Sequence, residues 1–168
     1  MMMTQQNKGK SIVCRTVLGC VAVLMFLSSL VACSSIDCPV ENTVLSVYNL
    51  DEILKDTLTI TSHRKDGSDT ILLNQGINQS TFKLPMSFTQ DVDVLFFKTK
   101  KLPVTDTVRI GKENIPHFES VDCGLTYFHN ITSLNHTTYG IDSIVLLKSR
   151  VDYVSNSPHF LVYFKDRD

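Results

Sequence analysis

The sequence predicts an all-β fold, an antiparallel β-sandwich behind an N-terminal signal peptide, and three observations carry that expectation. Short runs rich in Thr, Val, Ile, Phe and Tyr recur between turn residues from position 43 onward. No long stretch of that region holds a helical period; the nearest, "NLDEILKD" at 49–56, suggests one or two helical turns. The opening segment is of another kind. Lys8, Lys10 and Arg15 precede an apolar run from Val17 to Ala32, and the first acidic residue is Asp37. A basic start, an apolar stretch and small residues before a cut site describe a secretory signal.

The strand candidates follow in order. "TVLSVYNL" comes first. "DTLTITSH" and "DTILLNQ" flank "RKDGS", whose Asp66-Gly67 suits a hairpin turn with glycine in a left-handed position. "STFKLPMSF" alternates Phe82, Leu84, Met86 and Phe88 on one face, and Pro85 favours an edge position or a bulge because it donates no ladder bond. "DVDVLFFKT", "TDTVRIG", "HFESVD", "TYFHNITSL", "IDSIVLLKS" and "HFLVYFK" complete the set. Nine or ten short strands bury alternating faces best as two packed sheets, with an immunoglobulin-like topology the commonest arrangement. The chain has no Trp, so the buried tryptophan of antibody domains is absent. A closed barrel fits the same strand order.

At Leu30-Val31-Ala32-Cys33 the sequence resembles the lipobox of bacterial lipoproteins. That resemblance implies cleavage before Cys33 and lipidation of its thiol and new amine. Multiple acyl chains anchor a protein stably where one does so only marginally. The expected organisation is a lipoprotein signal peptide over 1–32, a lipidated tether over 33–42 and a single β-sandwich domain over 43–168. Ser34 follows the cysteine, and no acidic run comes after it. The expected location is the bacterial outer membrane, facing the periplasm in preference to the cell surface.

Cys14 and Cys20 would leave with the signal, and Cys33 would carry lipid. Cys38 and Cys123 remain, an even pair in an oxidising compartment, which reads as a disulfide. Two free buried thiols or two metal ligands are the other readings, although the spacing of a structural zinc site is missing. Removing residues 1–32 takes away three basic residues and no acidic one. That leaves 13 Lys and Arg against 17 Asp and Glu, a formal charge of −4. Such a balance argues against a nucleic-acid partner, which demands clustered cations.

Asp followed by Thr or Ser and an apolar residue recurs at Thr57, Thr70, Thr107 and Ser143. Strand-start chemistry explains the pattern, since Asp closes turns and Thr suits the pleat. The motif also resembles the O-glycosylation sequon of Bacteroides-type bacteria. "PHFESVDCG", "FKLPMSFTQ", "SSIDCP" and the lipobox together are similar to a family of small Bacteroides-type outer-membrane lipoproteins with a β-rich domain of unknown function. That resemblance implies a setting and a fold, and no catalytic residue.

One constellation of side chains has metal-ligating chemistry. His117 and Glu119 are two apart and share a strand face, with His129 and Asp122 expected nearby as ligands for a metal or small molecule. There is no HExxH or G-x-S-x-G signature and no phosphate-cradling glycine loop. No cofactor is implied. The expected function is a lipid-anchored, non-enzymatic envelope protein that binds or supports a protein partner. The alternative is a periplasmic binder of a small ligand or glycan, with Tyr127, His129 and Tyr139 as stacking groups. Pro85–Gln90 and the loop at 135–140 are the expected contact regions.

Overall fold

A computed structural model describes residues 43–166, except 102, 122 and 154–156. Its framework is one long hairpin of β1 (Leu45–His63) and β2 (Asp69–Pro85). β3 (Val92–Thr99), β4 (Thr105–His117) and β5 (Thr126–His136) follow as a meander. The short β6 (Ile141–Leu146), β7 (Arg150–Val151) and β8 (Phe160–Phe164) complete the domain. The order across the sheet is β6-β8-β1-β3-β4-β5-β7, with β2 against β1.

The fold is all-β, as expected, but the strands do not divide into two separately hydrogen-bonded sheets. All eight join one mixed, mostly antiparallel sheet. The reason is the length of β1. Along one edge it pairs with β2 from Leu45 to His63. Its other edge serves two partners: β8 in parallel at Tyr48–Leu50, then β3 antiparallel at Leu58–Ser62. Four expected strands are therefore two long ones. The helical turns expected at 49–56 are absent as well. That stretch is strand, and its irregular polarity marks register shifts between Asn49 and Leu54 and between Leu54 and Thr57.

Those shifts bend the hairpin, since an extra residue on one strand kinks it and tightens its twist. Gln75 and Asn78 on β2 take left-handed backbone angles, φ 49° and 51°, in the same irregular zone. A straight strand of this length would hold its ends roughly 60 Å apart. Instead the hairpin tip at Arg64–Asp66 and its base at Thr43 and Pro85–Gln90 line one groove. The tip turns as the sequence predicts: Gly67 sits at φ 84° and donates to the Arg64 carbonyl.

The core is aromatic and lies where β1 changes partners. Tyr48 stacks on Phe160 of β8 at 4.6 Å and on Phe82 of β2 at 5.1 Å, with Phe97 of β3 tilted 6.4 Å away. Leu58, Ile60, Leu84, Val108, Ile110, Ile141 and Val162 surround them. Burying a large side chain of this kind is worth about 1.5–3 kcal/mol.

Candidate functional site

Where the hairpin closes on itself it leaves a groove of about 420 Å³. Ser62, Arg64, Lys65, Thr70 and Leu72 come from the tip, and Thr43, Met86, Ser87, Phe88 and Thr89 from the base. Phe88 is 38% exposed and stacks on Tyr127 at 5.2 Å. The base is the Pro85–Gln90 segment that the sequence singled out.

Beneath it lies a buried polar network that sequence reasoning missed. The Lys112 side chain has no exposed surface, and its Nζ donates to Asp93 Oδ1 at 3.0 Å and to the Gln90 carbonyl at 2.7 Å. Asp93 accepts the Ser87 N–H at 3.3 Å. Burial pushes the Asp93 carboxyl up, and Lys112 pulls it back part of the way. The Lys112 N–H reaches the Asp91 carbonyl at 2.8 Å. Asn114 donates from Nδ2 to the Gln90 carbonyl at 3.0 Å and to Asp91 Oδ1 at 3.3 Å.

His129 extends the chain of bonds. With the Asn114 amide oriented by those donations, its Oδ1 accepts from His129 Nδ1 at 2.9 Å. His129 Nε2 then faces the Thr43 hydroxyl at 2.8 Å, and that hydroxyl also lies 2.8 Å from the Met86 carbonyl. The ring is fully buried, and burial followed by the Lys112 charge drives it down to about 4. Met86, Ser87, Gln90 and Asp91 are thus each held from below. The arrangement immobilises a loop under an open groove.

A signal for the network was present in the sequence. The inward series Val108 and Ile110 continues to Lys112, and the series Phe97 and Leu95 continues to Asp93. One more step along each alternating face places opposite charges in the core of adjacent strands.

The expected ligand constellation is not brought together. His129 pairs with Asn114 and His117 with Thr126, with no register shift between them. The odd offset sends the two imidazoles to opposite faces. His117 stacks on Phe128 at 4.3 Å, and its Nε2 is 3.9 Å from Glu119 Oε2. Asp122 lies outside the described residues. Among the described residues no group of three His, Cys, Asp or Glu side chains is placed to hold a metal. His63 pairs with Asp69 at 2.8 Å, and His159 accepts the Val47 N–H.

Cys33 and Cys38 also lie outside the described residues. Cys123 is buried and has the Ser120 hydroxyl 3.3 Å from its sulfur. The four Asp-Thr/Ser motifs divide. Asp56 and Asp106 are buried clamps: Asp56 accepts the N–H groups of Thr57 and Lys101. Asp106 accepts the Thr137 hydroxyl and the N–H groups of Tyr139, Gly140 and Ile141. Burial raises the Asp106 carboxyl, but those four donors outweigh it and hold it low. This clamp fixes the expected contact loop at 135–140. Asp69 and Asp142 are exposed, beside half-buried Thr70 and Ser143; Thr57 and Thr107 are half-buried too.

A family model described as a family of unknown function (DUF6452) matches residues 57–164, more than half of the chain. The chain belongs to this family. The DUF6452 match takes in the hairpin tip, the 86–91 loop, Asp93, Lys112, Asn114 and His129, while Thr43 precedes it. No curated protein matches the chain, and no solved structure does.

Proposed function

We propose that the chain is a lipid-anchored, non-enzymatic protein of the bacterial outer membrane, facing the periplasm, that binds a protein partner along the outer edge of β2. Cys33 carries the anchor, and a Cys38–Cys123 disulfide staples the tether to the domain. The fold is read as a sandwich-like wrap in which the bent β1–β2 hairpin carries the sheet from one layer to the other.

The observation that supports this function is the edge itself. β2 runs for 17 residues, pairs with β1 and, among the described residues, has no strand on its other side. Its irregular middle separates two regular stretches, of which Thr81–Pro85 is uninterrupted in register with Leu45–Asn49. Bulges protect an edge from indiscriminate pairing, and a short regular stretch still admits an extended segment of a partner. Ile71 and Ile77 on this strand are 58% and 66% exposed. The buried titratable groups, meanwhile, are committed to structural bonds: Asp93 to Lys112, Asp106 to a loop, His129 to Asn114 and Thr43.

Photo-crosslinkers placed at Ile71 and Ile77 in intact cells test the reading. One recurrent envelope protein captured there, and not from Val145 on β6, is the expected result. Diffuse capture at all three positions would contradict it.

A second reading, a small-ligand or glycan binder, is favoured by a cleft of about 230 Å³ between β1 and β8. Asp51, Glu52, Lys55, Tyr163, Lys165 and Asp166 line it. It opens where β1 has left β8 and not yet reached β3. Saturation-transfer NMR with envelope oligosaccharides separates the two readings.

A further inference from the structure

We infer that the groove between the hairpin tip and the 86–91 loop is the membrane-apposed face of the domain and takes the phosphate headgroup of an anionic lipid. The inference rests on the proposed lipidation of Cys33 and adds to it an orientation and a ligand class. Three features of the molecule carry it.

The first is reach. Thr43 lies ten positions after Cys33, and ten residue steps span at most about 35 Å fully extended. Thr43, where the described domain begins, therefore lies within that distance of the bilayer surface. Thr43 is itself part of the groove lining, so the tethered point and the groove coincide.

The second is charge. The mature chain is acidic overall, yet the groove rim carries adjacent cations, Arg64 and Lys65. Of the carboxylates closest in sequence, Asp66 itself lines the groove and stays ionised, so Arg64, Lys65 and Asp66 leave the rim with a net excess of one positive charge. Asp66 accepts both the N–H and the hydroxyl of Ser68, and Asp69 pairs with His63. Among the described residues no carboxylate oxygen lies within ion-pair distance of Arg64 or Lys65, although Asp66 feels the Arg64 charge. Two cations beside the hydroxyls of Ser87 and Thr89 are suited to a phosphate at a negatively charged surface.

The third is the character of the opposite rim. Phe88 is partly exposed on a loop that the Asp93–Lys112–Asn114 bonds hold still. An aromatic ring beside cations on a rigid base matches the polar–apolar boundary of a membrane interface.

Hydrogen exchange of the full-length lipidated protein in nanodiscs tests this, with discs of phosphatidylcholine alone or mixed with phosphatidylglycerol. The expected result is several-fold slower exchange in peptides covering Arg64–Ser68 and Met86–Gln90 in the mixed discs only. That protection should vanish in R64E/K65E and weaken with added salt. Equal exchange in both lipid compositions, with the protein still disc-bound, would overturn the inference and leave the anchor standing. Protein that fails to co-purify with either disc would overturn the anchor, and the inference with it.

Discussion

Two regions of this domain are buried at their centres and built from opposite materials. Around Tyr48 the interior is aromatic and aliphatic, with rings from β1, β2, β3 and β8 in contact. Under the 86–91 loop it holds an ion pair, an amide, an imidazole and a hydroxyl. The first region needs no partners of defined direction, because apolar burial is non-directional. In the second every bond has a direction, and most of them point at one loop. A buried ion pair is weak evidence of stability, since desolvation offsets much of its attraction. What the network supplies is position.

The largest expected effects set the two regions side by side. Phe97→Ala in the aromatic core should cost about 3–5 kcal/mol in denaturant unfolding through lost burial and a cavity. Lys112→Met should cost a similar ~3–5 kcal/mol by leaving Asp93 buried without its counter-charge. The comparison sharpens with the double variant Asp93→Leu/Lys112→Met, which should recover most of that loss because both charges are gone. No second substitution beside Phe97→Ala would restore the core by removing a charge.

The next effect is a dependence on pH. His129 in the folded protein protonates near 4, against 6.5 when unfolded. Between those values the unfolded chain binds more protons, so stability is full above pH 6.5 and falls as pH drops toward 4. Burial depresses His159 as well, with the same sign. The His129 contribution is ~3 kcal/mol across that window. Urea midpoints measured from neutral to acid pH should slope downward in the wild type and flatten in His129→Gln.

A smaller loss, about 1–3 kcal/mol, is expected for Asp106→Ala, which strands the N–H groups of Tyr139, Gly140 and Ile141. Faster amide exchange confined to 137–141 would mark it as a loop clamp. Smallest of all is His117→Ala. That ring is partly exposed and stacks on Phe128, and its loss should shift the midpoint by roughly 0.5 kcal/mol.

The aromatic region was legible in the sequence because alternation reports burial directly. Phe82, Leu84, Met86 and Phe88 read as one inward face; the first three are buried, and Phe88, farther past the end of β2, is 38% exposed. The Asp66-Gly67 turn was legible for its backbone chemistry, and Pro85 for its missing donor. The joining of strands was not. "NLDEILKD" interrupts the period with Asp51, Glu52 and Ile53 facing out together, which reads as a break or a helix turn although the strand continues through a bulge. The network escaped for a related reason. Asp93 and Lys112 are charged, and a charge along a strand ordinarily marks solvent, although both occupy inward positions of their strands. His129 was singled out as a ligand candidate, and its burial against Asn114 depends on a register that no local pattern reveals.

Hydrogen exchange across Met86–Asp91 in the wild type and in Asp93→Leu/Lys112→Met tests most directly whether the network exists to hold this loop. The double variant, though nearly as stable as the wild type to urea, should exchange these amides much faster while Leu58–Ile60 stays protected. Wild-type exchange of the loop in the double variant would contradict it.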